Sequence, residues 1–186
     1  SSRDGIVPLS LTQDIGGPLA RTVGDLILML DDTVGEDPAD PLTRGNAVHI
    51  PRTYNSMVGD AGLGDITIGV LTPLFGSAPE DEEVGRIVRG AVEDIRSLGA
   101  GVVEIPFPRL EEALRDTSVI NAEFKFDLQD FFAKYPSSPM KTLGDILLSG
   151  KYSPAVESVL KRANEATARD TESYRLALSR REQAKQ

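Results

Sequence analysis

A Ser–His–Asp relay needs an imidazole beside a serine hydroxyl, because a neutral serine is a poor nucleophile until a base takes its proton. The sequence has one histidine, His49, set between Pro41 and Pro51, and no Gly-x-Ser-x-Gly to raise a serine on a tight turn. His49 therefore reads as an exposed loop residue. Asp31, Asp32, Glu36, Asp37 and Asp40 cluster, but they lack the glycine and closing glutamate at the spacing a calcium loop requires. They read as a solvated helix end plus a turn, and no metal site is expected. Gly59-Asp60-Ala61-Gly62-Leu63-Gly64 has the look of a phosphate loop, yet it precedes a strand instead of following one. No helix N-terminus would then meet a phosphate. The absence of cysteine removes thiolate nucleophiles, thiolate zinc sites and disulfides together. Phe124, Phe126, Phe131, Phe132 and Tyr135 recur mostly at helical spacing and read as core, not as a cofactor box. No cofactor is implied.

The elements that would carry these residues are unevenly specified. Residues 5–11 are short and apolar with Pro8 inside, which suits an edge strand or an extended lead-in. Gly16-Gly17-Pro18 places a proline at the first helical position, and Leu19, Val23, Leu26, Ile27 and Leu30 follow on one face. Residues 33–64 have little periodicity and read as a long surface connection. Residues 66–71 and 102–105 read as strands on either side of the strongest helix signal, Glu80 to Leu98, which Gly99 stops. Strand, amphipathic helix and strand predict a right-handed βαβ unit with parallel strands. Downstream the pattern is helical over 110–133, 143–148, 154–162 and from Ala166 onward. The fold class is therefore α/β, a short parallel or mixed sheet flanked by helices with a helix-rich C-terminal half. Residues 1–108 form the α/β part and 109–186 the mainly helical part. Two strands are too few to cover so many apolar helix faces, so the rest of the sheet is expected outside this chain.

The composition bounds the partners. The 186 residues carry 20 Lys+Arg against 29 Asp+Glu, a formal charge of −9, which argues against nucleic acid and anionic membranes. The longest apolar stretch, residues 26–30, is too short to span a bilayer. The chain opens at Ser1-Ser2-Arg3 with no Met and no signal peptide, and it closes on helix-like residues with no Gly or Pro stop. This reads as a piece of a longer, cytoplasmic protein.

One segment is specific enough to compare. Residues 2–25, Ser-Arg-Asp-Gly-Ile-Val-Pro-Leu-Ser-Leu-Thr-Gln-Asp-Ile-Gly-Gly-Pro-Leu-Ala-Arg-Thr-Val-Gly-Asp, resemble a stretch of the amidase signature family that lies shortly after its catalytic motif. Residues 37–41 and Glu123-Phe124-Lys125-Phe126-Asp127-Leu128 continue the resemblance, the latter towards freestanding members. The resemblance implies a partial amidase-signature fold, residues 1–186 forming a single incomplete domain. It also implies hydrolysis of C–N amide bonds in small-molecule substrates by a Ser–Ser–Lys triad. One Ser attacks, a second relays the proton, and Lys is the base. The Gly/Ser-rich motifs that hold those serines do not occur here. The Ser pairs 1–2 and 137–138 lack flanking glycines, and Lys125, Lys134, Lys141, Lys151, Lys161 and Lys185 all lie downstream of the shared motif. No catalytic residue can be carried over, and the chain alone should be inactive.

What the segment offers is scaffold. Asp14, Gly16, Gly17, Pro18, Arg21 and Asp25 read as a structural motif, with Asp14 bonding backbone amides and Arg21 pairing with Asp25 four residues on. Thr12, Gln13 and Glu123 are the candidates for the substrate pocket, on analogy with the family. The alternatives are a non-catalytic binding or regulatory module with the same fold and a transamidase component of the same family. The uncovered apolar faces predict self-association.

Overall fold

The computed structural model describes residues 1–59 and 62–185. Asp60 and Ala61 of the glycine-rich loop, and Gln186, lie outside the described residues. No helix among those described is long and apolar enough to cross a membrane. The chain divides into two compact units, residues 58–114 and residues 1–57 with 115–186. This cut differs from the halves 1–108 and 109–186, because residues 1–57 group with the downstream helices.

The smaller unit is the expected βαβ. Strand β1 (Thr67–Val70) pairs in parallel with β2 (Gly101–Glu104), Ile68 opposite Val102 and Val70 opposite Glu104. Helix α2 (Asp81–Ser97) connects them, and the short helix α3 (Leu110–Leu114) follows β2. Three acids, Asp81, Glu82 and Glu83, sit in the first turn of α2 and Arg96 in its last, as the helix dipole favours. Gly99, at φ +98, ends the helix in a conformation that residues with a β-carbon avoid. Parallel strands are normally covered on both faces. Here Val84, Ile87 and Val103 are all more than half exposed, so the apolar surface that the sequence predicted is present.

The larger unit is helical. Helix α1 spans Val23–Thr33, five residues later than the proline rule suggested. The reason is the cap: the Thr22 hydroxyl accepts from the Asp25 amide at 3.1 Å, which fixes the helix start there. Gly16-Gly17-Pro18 stays irregular, and a β-carbon on Gly16 would lie 3.2 Å from Ile6 Cδ1. Leu19, ahead of the helix, is 94% exposed. Residues 5–11 likewise form no strand but run as irregular backbone with bends, which leaves the lead-in of the two expectations.

The predicted helix over 110–133 is two helices, α3 in the smaller unit and α4 (Ile120–Lys134) in the larger. Asp116, at φ +56, lies in the break. The larger unit continues with α5 (Leu143–Ser149), α6 (Glu157–Asn164) and α7 (Glu172–Ala184). Thr142 and Asp145 form a capping box at α5, and Gly150 closes it at φ +63. Helices α4, α5 and α6 pack together around Phe124, Leu128, Leu143 and Ala163, with Ile120, Phe132, Ile146 and Leu160 at the edge. Phe131 stacks instead on Tyr135, with ring centroids 4.8 Å apart.

Candidate functional site

Helix α4 places two carboxylates one turn apart on its buried side, Glu123 and Asp127, each 3% exposed. Buried carboxylates need donors, and the N-terminal segment supplies them. Glu123 Oε2 accepts the Ser10 hydroxyl at 2.5 Å and the Thr12 amide at 3.2 Å. Glu123 Oε1 accepts the Thr12 hydroxyl, and also the Tyr174 hydroxyl of α7 at 2.8 Å. Burial works to raise the Glu123 pKa, but the hydroxyls of Ser10, Thr12 and Tyr174 outweigh it and hold the carboxyl below its ordinary value. Asp127 accepts the Leu11 amide at 2.8 Å and pairs with Arg169 at 2.9 Å. Burial prevails there, and its pKa is raised. Residues 10–12 are thus held to α4 by both carboxylates.

The rest of the motif is fixed in the same way. Asp14 Oδ2 accepts the amides of Leu9 and Ser10 at 2.8 and 3.0 Å, closing the turn on itself. Gln13 Oε1 accepts the Val119 amide at 2.8 Å, which supplies the acceptor missing at the start of α4. Arg3 chelates Asp40, with Nε at 2.8 Å from Oδ2 and Nη2 at 2.5 Å from Oδ1, and its backbone amide adds a bond at 3.0 Å. It also donates to the Leu11 carbonyl. Asp40 is 4% exposed, and hydrogen bonding to Arg3 holds its carboxyl far below the usual carboxylate range.

The acidic cluster is therefore not merely solvated. Asp31 accepts the Thr53 hydroxyl and the Tyr54 amide, both at 2.6 Å, while Asp37 accepts the Ser2 hydroxyl at 2.6 Å. Glu36 accepts the Gly45 amide at 2.7 Å. These acids organise the connection after α1 together with three short 3-10 helices, Pro41–Thr43, Asn46–His49 and Tyr54–Met57. Among the described residues, no group of three or more His, Asp or Glu is arranged to hold a metal ion. Arg21 and Asp25 form no ion pair among the described residues, because Arg21 precedes α1 and the helical four-residue spacing does not apply to it. Asp25 instead places its amide in the Thr22 cap.

Of the three pocket candidates, Thr12 and Glu123 meet, and Gln13 reaches the start of α4. Thr12 also lines an open cleft of about 440 Å³ with Asp14, Asn46, His49 and Tyr54. Glu123 and Gln13 do not line it. His49 is exposed there. Sequence reasoning missed Ser10, Arg169 and Tyr174. The available signal was the pair Glu123 and Asp127, two acids four apart on a helix face otherwise filled by Phe124 and Leu128.

What the arrangement does chemically is to immobilise. Ser10 is fully buried, so its hydroxyl cannot meet a substrate, and its proton is directed at Glu123. A carboxylate already accepting four hydrogen bonds has little capacity left as a general base.

Comparison with known proteins places the chain in a family. The chain is 29% identical over 154 residues, 79% of its length and 28% of the relative's, to a probable amidase of Arabidopsis thaliana. It is 37% identical over 119 residues, 64% of its length and 24% of the relative's, to a glutamyl-tRNA(Gln) amidotransferase subunit of Acaryochloris marina. The crystal structure of the native peptide amidase from Stenotrophomonas maltophilia superposes with a TM-score of 0.75 at 27% identity, covering 96% of this chain and 37% of that one. The chain thus spans about a quarter of the length of these curated relatives. The family model for amidase matches residues 1–186 from end to end. On that match, and on the motif its N-terminal segment carries, the chain belongs to the amidase family.

Proposed function

We propose that residues 1–186 are the scaffold beneath the active site of an enzyme that hydrolyses C–N amide bonds, and that they form part of its substrate funnel. The observation that carries this reading is the clamp of Ser10, Leu11 and Thr12 onto Glu123 and Asp127. Its polar groups hold one another and leave no nucleophile–base pair free. Of the three pocket candidates, Thr12 is the one that lines the cleft and is assigned to face substrate, while Gln13 and Glu123 hold the segment in place. The Ser–Ser–Lys triad of the family would come from sequence outside these residues, so the chain alone is inactive. Incubating the purified chain with an aryl amide and a peptide amide tests this. No turnover above buffer is expected, and turnover that resists further purification overturns the reading.

A second reading is a component of an enzyme that transfers ammonia, favoured by the 37% identity to the amidotransferase relative. The sequence match to the probable amidase extends further, over 79% of the chain against 64%, and supports the freestanding hydrolase. Glutamine-dependent amidation of a glutamyl-tRNA by the whole protein would decide for the transferase. The half-exposed apolar residues of α2 and β2 are proposed to drive self-association of the isolated chain. Sedimentation should show mass rising with concentration, and a monodisperse monomer overturns that expectation.

A further inference from the structure

We propose that Tyr174 is a positioning residue: its hydroxyl locks the Glu123 carboxylate in the rotamer that holds Ser10 and Thr12, so that α7 sets the geometry of the N-terminal motif. The proposal deepens the scaffold reading above and rests on it for its relevance to catalysis. The geometry is a chain of three groups. Tyr174 donates to Glu123 Oε1, the oxygen that also accepts the Thr12 hydroxyl, and Oε2 of the same carboxylate takes the Thr12 amide and the Ser10 hydroxyl. A carboxylate held at both oxygens cannot rotate about its last torsion without losing donors on both sides, and the phenol adds to the donors from residues 10–12 a bond from α7 that holds the carboxylate in the orientation in which they are bound.

Helix α7 is itself placed firmly enough to act as a reference. The Thr171 hydroxyl caps it on the Tyr174 amide at 3.2 Å. Just before it, Arg169 reaches Asp127 at 2.9 Å and Asp130 at 2.8 Å on α4. Farther along, Arg180 pairs with Asp116, and Arg181 donates to the Thr117 carbonyl at 3.3 Å. Tyr174 thus sits between two sets of contacts that tie α7 to α4 and to the turn before it. Residues 10–12 and 174 are joined through one side chain of α4, although more than 160 positions separate them in sequence.

Tyr174→Phe removes the hydroxyl and keeps the ring, so the packing of α7 is preserved. In the purified chain, amide exchange at Thr12 should quicken by about tenfold, the scale expected for one lost hydrogen bond to a charged group, while amides inside α5 are unchanged. The side-chain carboxyl of Glu123, followed by carbon NMR against pH, should titrate below an ordinary glutamate in the native chain and move upward in the variant. Unchanged Thr12 exchange and an unchanged Glu123 titration overturn the proposal. So does a native Glu123 that titrates at or above the ordinary value, a result that does not depend on any variant folding. In a peptide amidase carrying residues 1–186 in place of its matching segment, Tyr174→Phe should lower kcat about tenfold with KM within twofold. An unchanged kcat overturns the positioning role. A folded but inactive graft, beside accelerated Thr12 exchange in the chain, overturns the scaffold reading and supports the lock.

Discussion

Replacing Arg3 by Met keeps most of the side-chain volume but strips Asp40 of its guanidinium. In the native chain the pair is almost fully enclosed, with 13% of the Arg3 side chain and 4% of Asp40 exposed. Removing one partner of such a pair costs about 3–5 kcal/mol, because the remaining carboxylate stays buried without compensation. Asp40 keeps two donors, the amides of residues 3 and 42 at 3.0 and 3.2 Å, so the lower end of about 3 kcal/mol applies. With a urea dependence of about 2 kcal/mol per molar, the midpoint should fall by roughly 1.5 M. Tyrosine fluorescence is the suitable probe. The protein has no Trp, and Tyr54, Tyr135, Tyr152 and Tyr174 all lie in the unit that contains Arg3. The pH dependence gives a second check. The folded pKa of Asp40 is depressed, so its stabilisation is complete above the unfolded value of about 3.9 and is lost as pH falls towards the folded one. The penalty of Arg3→Met should therefore be full at pH 7 and shrink below about pH 4. A penalty under about 1 kcal/mol at neutral pH would refute the claim that this pair anchors the N-terminal motif.

Other substitutions probe the remaining supports. Leu128→Ala empties a position that is 1% exposed at the centre of the α4–α5–α6 core, and chemical denaturation should show a loss of about 3–4 kcal/mol. Thr142→Ala breaks the capping box of α5 and should cost about 1 kcal/mol by the same assay. Asp127 behaves oppositely to Asp40. Its folded pKa is raised, so its contribution is favourable below the unfolded value and is lost as pH rises through the folded one. Asp127→Asn should accordingly gain stability relative to the native chain on going from pH 4 to pH 7, read from denaturation midpoints at the two values.

Local rules explain what the sequence made legible. The βαβ unit could be read because Val84, Ile87, Val88 and Val92 repeat at helical spacing between two β-branched runs, and Gly99 stops the helix where φ turns positive. The start of α1 was misplaced because two valid signals compete within five residues, and the Thr22 hydroxyl prevails over Pro18. The helix over 110–133 hid its break because Asp116 adopts a left-handed conformation that no glycine announces. The site was half legible. Thr12, Gln13 and Glu123 were singled out together, but Tyr174 and Arg169 lie on a stretch whose polar pattern says only that it is exposed helix. Their partners on α4 lie between 39 and 51 residues away, and long-range pairings of that kind leave no trace in local spacing.

Residues 1–186 are proposed to supply structure, not chemistry, to an amidase. The most direct test is to put them in place of the matching segment of the Stenotrophomonas maltophilia peptide amidase and measure peptide-amide hydrolysis. An active graft is expected, with kcat/KM within about a hundredfold of the parent, beside an inactive isolated chain. A folded graft with no hydrolysis, or an isolated chain that turns over the same substrate, would contradict the proposal.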